Sequence, residues 1–262
     1  MKIKFVLILF FKFIFFNSIL YSDEVEIVSD NIKILENGKI IESIQTNAII
    51  QSKGLYIEGD YSVYDKEKEI IRFEKNVLFN DKIKNISIET VKAKYNQKLD
   101  ILETIGATNI KIENKYEIIS SNMLYNRRSQ QVYSNKETTV KDENGNIYNL
   151  ENSFQFDLNN EIITTKKTNI IDTDNNIYIF ENAKINLISK EILGKELKID
   201  FVDNYFGIQN NDPILKGRSA ISNNEETKIY KTVFSTCNTT NKSCPGWEIE
   251  TEEFTHDKVN KV

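Results

Sequence analysis

The sequence is poor in the residues that interrupt strands or build reactive sites. Its 262 residues include two prolines, two cysteines, one histidine and one tryptophan. Proline cannot donate a ladder hydrogen bond, so its absence before Pro213 leaves long strands uninterrupted. Two cysteines and a distant histidine do not make the four-ligand set of a zinc site, and we expect no metal and no cofactor. Past residue 22, no stretch has the i, i+3, i+4, i+7 apolar spacing of an amphipathic helix, so we predict an all-β chain.

Positive charge is also scarce. The formal net charge is −5, and loss of the three lysines in residues 1–22 would lower it to −8. Nucleic acid binding needs basic surface for the phosphates, so we expect no nucleic acid partner. Arg127-Arg128 is the only arginine pair. A turn is expected at this position, and we interpret the pair as part of a solvated turn rather than as an anion site.

A repeat of about 31 residues organises the chain. Its marker is an aromatic residue followed by Asp or Asn, with spacings of 31, 30 and 31 residues. The markers are Tyr64-Asp65, Tyr95-Asn96, Tyr125-Asn126 and Phe156-Asp157, with Leu35-Glu36 one period earlier and Leu187 one period later. A fixed period of this length is typical of stacked repeats, in which each unit buries its apolar face against its neighbours.

Each period reads as strands and turns. Short β-branched or alternating apolar runs predict half-buried strands, and clusters of Asp, Asn and Gly between them predict turns. Asp65 and Asp157 recur at the repeat spacing, but their counterparts Asn96 and Asn126 are uncharged, which favours a turn role over acid–base chemistry. The pattern is compatible with a closed solenoid or with two long antiparallel sheets folded against each other. In both cases the end strands offer unpaired edges to another chain.

The chain divides into three segments. Residues 1–22 have a short basic start and an apolar core, and they predict a secretory signal peptide, with a retained membrane anchor as the alternative. Residues 23–230 are the repeat domain, and residues 231–262 form a distinct tail. In an oxidising compartment Cys237 and Cys244 can form a local disulfide or pair with cysteines elsewhere; free thiols are the other possibility.

The tail contains the only histidine, next to Asp257. A lone His-Asp pair near a chain end is more often a turn or strand-end pair than a catalytic dyad, so we do not expect an enzyme. A polysaccharide lyase on a β-solenoid would need converging catalytic groups, which the sequence does not offer.

The tail also carries a family resemblance. The order Thr236-Cys237, Cys244-Pro245, Trp247 and His256-Asp257 resembles the junction of the LptD family (OstA or Imp) of outer-membrane lipopolysaccharide-assembly proteins. The repeats resemble the OstA-type domain shared by LptD, LptA and LptC. Family copies commonly carry Gly-Asn-Val before the second strand, and here Lys75-Asn76-Val77 keeps the Asn and the apolar residue but not the Gly. The resemblance covers essentially the whole mature chain.

The resemblance implies an OstA/LptA-like β-jellyroll (β-taco) of about six stacked repeats of about 31 residues, with an open apolar groove for lipopolysaccharide acyl chains. It places the protein in the periplasm and at the cell outer membrane. Implied partners are lipopolysaccharide, an LptA-like bridge protein joined by edge-strand pairing, an LptE-like lipoprotein and an outer-membrane barrel. The family cysteines can bridge to that barrel. This sequence ends at Val262, where the barrel would begin, so we expect a truncated or split member, an incomplete sequence, or a module working with a separate barrel.

Six inward-facing residues are the predicted lining of the groove. They are Tyr95, Met123, Tyr125, Phe154, Phe156 and Ile185. The same apolar side chains would also serve as ordinary core. Two further functions fit the repeats: a free-standing LptA-like bridge, and a secreted β-solenoid used as an adhesin or scaffold.

Overall fold

The computed structural model describes residues 24–201, 214–223, 225–235, 248–257 and 259–260. The predicted signal peptide, Cys237, Cys244, Pro245 and Trp247 lie outside these residues. Among the residues it describes, no helix has the length and apolar character needed to cross a membrane.

The all-β prediction is confirmed. Two single-turn 3-10 helices, Glu36–Gly38 and Gln51–Lys53, are the helical elements of the described residues. The first strands are Glu26–Leu35 (β1), Ile40–Ile50 (β2), Leu55–Asp65 (β3), Ile70–Asp81 (β4), Ile86–Asn96 (β5) and Ile101–Ile112 (β6). The middle strands are Tyr116–Ser121 (β7), Leu124–Asn126 (β8), Gln131–Ser134 (β9), Thr138–Asp142 (β10), Ile147–Asp157 (β11) and Ile162–Ile171 (β12). The last strands are Ile177–Phe180 (β13), Asn182–Asn186 (β14), Glu191–Asp200 (β15), Ile214–Ser222 (β16), Glu226–Ser235 (β17) and Ile249–Asp257 (β18).

All of these strands belong to one antiparallel sheet. From β1 to β6 and from β15 to β18, each strand pairs with the next along the chain. Between them, β7 and β8 together take the place of one long strand, as do β9 with β10 and β13 with β14. Because every ladder is antiparallel, the chain runs back and forth instead of coiling in one direction as a closed solenoid would.

The long strands bend near their middles, along a line that we call the crease. Register shifts interrupt the ladders between Glu58 and Tyr61, between Glu74 and Val77, and between Glu151 and Phe154. The same level of the sheet contains residues with positive φ: Gln45, Lys75, Asn76, Gly106, Asn122, Asn152, Glu196 and Lys231. Such bulges bend a strand and increase its twist. The crease therefore divides the sheet into two walls.

The short strands show how the walls are divided. On one side of the crease, β8 pairs with β9, and β14 pairs with the first half of β15. On the other side, β7 pairs with β10, and β13 pairs with the second half of β15. We call these sides the first wall and the second wall. Each wall ends in its own row of turns, away from the crease.

The first rim is the row of turns at residues 36–39, 66–69, 97–100, 127–130, 158–161 and 187–190. Each turn after the first donates a backbone hydrogen bond to the preceding one, as Gln97 N does to Glu69 O and Arg127 N to Asp100 O, both at 3.0 Å. The second rim is the row at residues 51–54, 82–85, 113–115, 143–146 and 172–176. Here Lys82 N donates to Gly54 O at 3.0 Å.

The repeat markers are the strand ends of the first rim, which confirms their predicted turn role. The Asp or Asn side chain accepts hydrogen bonds from backbone N–H groups of the turn that follows, an arrangement that ties the turn to its strand. This holds for the predicted markers Asp65, Asn96, Asn126 and Asp157, and also for the strand ends Asn186, Asn223 and Asp257. The marker one period after Phe156-Asp157 is therefore Ile185-Asn186, and its placement at Leu187 was wrong by two residues.

The last strand continues the sheet. β17 runs across the predicted boundary between residues 230 and 231, and β18 pairs with it from Ile249 to Asp257. As predicted, His256 and Asp257 are a strand-end pair. Asp257 caps the turn after β18 through the Val259 and Asn260 N–H groups, both at 2.9 Å, and the buried His256 ring meets Phe201 edge-on.

Candidate functional site

The space between the two walls is the candidate site, and it is filled by the protein's own side chains. All six predicted lining residues belong to the apolar core, with exposed fractions of 0–2%. Five of them lie on strands of the first wall, and Met123 directly precedes β8. The structure thus brings these six residues together in one interior, in a closed arrangement.

Aromatic rings join the walls across this interior. Phe79 on the second wall lies 5.9 Å from the Tyr95 ring and 6.3 Å from the Tyr125 ring on the first wall. Further along, Tyr116 on the second wall meets Phe156 on the first wall edge-on, with ring centres 5.5 Å apart. Edge-on aromatic pairs of this kind contribute about 0.5–1.5 kcal/mol beyond the area they bury. Side-chain packing therefore holds the walls together along the length of the core.

Away from the crease, the interior ends at the opening between the two rims, which we call the mouth. Tyr95 and Tyr125 have their rings in the core and their hydroxyls at the mouth. Tyr95 donates to Asp100 Oδ1 at 2.6 Å, and Tyr125 donates to Asp81 Oδ2 at 3.4 Å. Burial and the nearby Asp81 carboxylate raise the pKa of Tyr125. The Tyr125 hydroxyl therefore remains a neutral donor, and the two hydroxyls give the apolar interior a polar boundary.

Arg127 is the largest correction to the sequence interpretation. Its side chain is only 11% exposed, so the prediction of a solvated turn was wrong for this residue. It donates from Nε to Asp81 Oδ2 at 2.6 Å and from Nη2 to the Lys53 carbonyl at 2.6 Å. A third contact, at 3.3 Å, joins Nη1 to Asp100 Oδ2. Arg127 belongs to the first rim while Asp81 and Lys53 belong to the second, so this guanidinium spans the mouth.

The Arg127 environment favours the charged form. Burial alone would lower its pKa, but hydrogen bonding to Asp81 and the charges of Asp81 and Asp100 outweigh burial, and the pKa is raised. The neighbouring Arg128 is exposed, as predicted, and donates to the Lys98 carbonyl at 2.6 Å.

Three other contacts span the mouth in the same way, and we call all four contacts clasps. The Lys53 ammonium donates to the Gln97 carbonyl at 3.0 Å. Lys115 Nζ lies 3.2 Å from Glu161 Oε1, and the Tyr116 hydroxyl donates to Glu161 Oε2.

The last clasp joins Lys190 Nζ to Asp142 Oδ2 at 3.7 Å. In sequence, the partners of the four clasps are 44 to 48 residues apart. That separation is about one and a half repeats, because each clasp joins a turn of the second rim to the first rim of a later repeat.

The carboxylates of two clasps have depressed pKa values. Burial would raise the pKa of Asp142, but hydrogen bonds from Asn146 and Tyr148 and the Lys190 charge bring it below its usual range. Burial would also raise the pKa of Glu161, and hydrogen bonds from Tyr116 and Lys115 again outweigh burial. Both carboxylates are therefore held in the charged form.

Sequence reasoning missed the clasps. The residues involved are ordinary charged residues of turns, and neither member of a pair stands out alone. A search for opposite charges one and a half periods apart would have found Arg127 with Asp81 and Lys115 with Glu161. That search requires knowing that the sheet folds at its middle, which the repeat alone does not specify.

Two cavities among the described residues are lined by both rims. The larger, about 270 Å³, has Asn146 and Asp172 on the second rim and Lys190 on the first, with Ile170 and Ile185 beneath them. The smaller, about 70 Å³, adjoins the Tyr116–Glu161 clasp. In the described part of the chain, no group of three or more His, Cys, Asp or Glu side chains is placed to hold a metal ion.

Comparison with known proteins adds no family to these observations. A scan against protein-family models found no match, and no curated protein matches the sequence significantly.

Proposed function

We propose that this protein carries a lipid along the interior between its two walls, as the periplasmic domain of an LptD-like system for lipopolysaccharide transport and outer-membrane assembly. In this proposal it receives lipopolysaccharide from the periplasmic bridge and passes it to an outer-membrane barrel. It performs no chemical step and needs no cofactor. The lipid, the barrel, an LptE-like lipoprotein and the periplasmic location are implied by the family resemblance of the repeats and tail.

The observation that carries the proposal is the continuous apolar interior between walls that are joined at the mouth, within the described residues, by polar contacts of side chains. The crease joins the walls on one side, and the described side-chain contacts between the rims are polar clasps. Acyl chains in water cost roughly 25 cal/mol for each Å² of exposed apolar surface, so an apolar path lowers that cost without chemistry. Because the six lining residues are buried, the walls must part to admit a chain. The finer form of the fold that we propose is the OstA-like β-jellyroll of about six repeats.

The first edge of the sheet supports the proposed docking of a bridge protein. β1 pairs only with β2 among the described residues, so its other side offers backbone groups to an added strand. Ile32 and Ile34 pair with Ser43 and Ile41, which places them on the inward face, yet they are 45% and 66% exposed. An LptA-like strand added at β1 would cover them and extend the interior.

A free-standing LptA-like bridge is the second candidate. It needs two open edges, and within the described residues β18 pairs only with β17. Mapping the disulfides of Cys237 and Cys244 in native envelopes separates the two candidates. A bond to a barrel cysteine supports the LptD-like function, whereas a local Cys237–Cys244 bond on a soluble chain supports the bridge.

Photocrosslinking tests the lipid path itself. A benzophenone amino acid placed at Phe154 on β11 would face the interior, and the same label at Gln155 would face solvent. We expect lipopolysaccharide adducts from position 154 in living cells and none from position 155. Circular dichroism of each labelled protein checks that the sheet is retained. If folded proteins labelled at 154, 156 and 185 all give no adduct, the lipid-carrier proposal is wrong.

A further inference from the structure

We propose that the mouth opens in its C-terminal half, at the Asp142–Lys190 clasp, and that the cavity beside this clasp takes the end of a single acyl chain. The Arg127 clasp keeps the N-terminal half closed while this happens. The inference rests on the proposed lipid-carrier function and adds to it the place where the interior opens towards solvent.

The cavity has the composition of a site for the end of an apolar chain. Ile170, Ile185 and Ile192 line it towards the core, and polar groups of the two rims surround its opening. Its volume of about 270 Å³ is just below the ~300 Å³ at which small-molecule pockets begin, so it fits part of a lipid rather than a whole one. Ile185 belongs to the core cluster, so a chain entering here reaches the interior directly.

The Asp142–Lys190 clasp costs little to break. Its single contact is 3.7 Å long, and the Lys190 side chain is 28% exposed. Asp142 remains satisfied without Lys190, because it accepts from Asn146 Nδ2 at 2.8 Å and from the Tyr148 hydroxyl at 3.0 Å. The Lys190 ammonium group can move into solvent and be hydrated there. The Asp142 side chain is fully buried but keeps these hydrogen bonds, and Lys190 is hydrated, so neither is left without a polar partner, the condition that makes losing a polar contact expensive.

The Arg127 clasp, in contrast, is costly to break. Its two 2.6 Å hydrogen bonds to the second rim go to a fully buried Asp81 carboxylate and to the Lys53 carbonyl. Opening the mouth here would separate the guanidinium from its two closest acceptors and leave the fully buried Asp81 carboxylate without its cation, and breaking a buried ion pair is strongly destabilising. The two halves of the mouth therefore differ in how readily they separate.

Pulsed electron spin resonance on the full chain measures both halves. Spin labels are attached through a genetically encoded keto amino acid, so that Cys237 and Cys244 stay unchanged. One pair replaces Glu143 and Ser189, exposed turn residues on opposite rims beside the cavity. The matched pair replaces Lys82 and Ser129, exposed turn residues on opposite rims beside Arg127. Circular dichroism checks that each labelled protein folds.

Without ligand, we expect a broad distribution of distances between the spin labels at positions 143 and 189. The distribution between the labels at positions 82 and 129 should be narrow. Myristate is the probe, and its binding is measured separately by isothermal titration calorimetry. Bound myristate should shift the 143–189 distances to longer values and leave 82–129 unchanged. Lys190→Met should also lengthen the 143–189 distances without ligand.

The outcomes separate the two proposals. If myristate binds but the 82–129 pair lengthens as much as the 143–189 pair, the inference is overturned and the lipid-carrier function stands. Equal widths of the two pairs without ligand also overturn the inference. If myristate does not bind while the 143–189 distance distribution is still broader than the 82–129 distribution, the acyl-chain site and the lipid-carrier function are wrong. Only the difference in opening between the two halves of the mouth then stands.

Discussion

The mouth is closed by different chemistry in its two halves. In the N-terminal half of the mouth, the buried Arg127 guanidinium joins Asp81, Asp100 and the Lys53 carbonyl. In the C-terminal half, the clasp is the single 3.7 Å contact between Lys190 and Asp142, with a cavity beside it. Antiparallel ladders join the strands of both halves, and the contacts across the mouth differ in their side chains. One repeated backbone can therefore carry two kinds of closure through a few side chains.

Replacing Arg127 should produce the largest effect. Arg127→Met leaves the Asp81 carboxylate buried without its cation, and we expect a loss of about 3–5 kcal/mol in the free energy of unfolding. Lys190→Met should cost about 1 kcal/mol, because the buried Asp142 carboxylate keeps its hydrogen bonds from Asn146 and Tyr148 and loses only a 3.7 Å contact. Urea denaturation followed by circular dichroism measures both.

Arg128→Met is the control, since this exposed neighbour should change stability by no more than about 0.5 kcal/mol. Equal losses for Arg127→Met and Lys190→Met would remove the proposed difference between the halves.

A close contact between the walls gives the second prediction. A Cβ added at Gly194 on β15 would lie 2.0 Å from Cδ1 of Phe180, the last residue of β13. Gly194→Ala must therefore displace the buried ring, and we expect a loss of about 1–3 kcal/mol. The double variant with Phe180→Leu makes room for the new methyl group, so its loss should be smaller than the sum of the two single losses. Strict additivity in thermal unfolding would mean that the ring and the glycine do not contact each other.

Much of the fold could be predicted from the sequence because it depends on local patterns. Alternating apolar residues identify the strands, and the Asp or Asn of each marker identifies a first-rim turn. The last marker was misplaced because the spacing from Phe156 to Ile185 shortens to 29 residues. The crease was not predictable in this way, because residues such as Gln45, Asn152 and Glu196 adopt positive φ there instead of glycine.

The candidate site, like the fold, has a part that local sequence patterns predict and a part that they do not. Phe154 and Phe156 are two residues apart on one strand, so their side chains lie on the same face. The sequence therefore predicts that both rings lie in the same interior. Whether that interior is open or closed depends on how the walls meet. The partners of Arg127 are 27 to 74 residues away in sequence, and no local pattern links them to it.

Acid should weaken the C-terminal clasps, which is the third prediction. The pKa values of Asp142 and Glu161 are depressed in the folded protein. Their contribution to stability is therefore fully present above the unfolded-state pKa of about 4 and is lost as the pH falls through the lower folded-state values.

Other carboxylates of the first rim, such as Asp65 and Asp157, also have depressed pKa values and would add to the loss in acid. The test therefore compares the unchanged protein with a variant that alters only the Glu161 site. Tyr116→Phe removes one donor to Glu161, costing about 1 kcal/mol at pH 7 and reducing the loss below pH 4. Unfolding at a series of pH values from 7 to 3 measures the slope. An unchanged slope would show that this hydrogen bond does not stabilise the charged carboxylate.

The smallest expected difference concerns the turns. Asn96 accepts from Leu99 N at 3.0 Å in the N-terminal half, and Asn186 accepts from Ile188 N at 2.9 Å in the C-terminal half. Each Asn→Ala change removes a capping acceptor from an exposed turn, so each should cost about 1 kcal/mol, and the two should agree within about 0.5 kcal/mol. Urea denaturation of the two variants under identical conditions gives the comparison. A much larger loss for one of them would locate the difference between the halves in the turns, whereas equal losses leave it in the side chains that span the mouth.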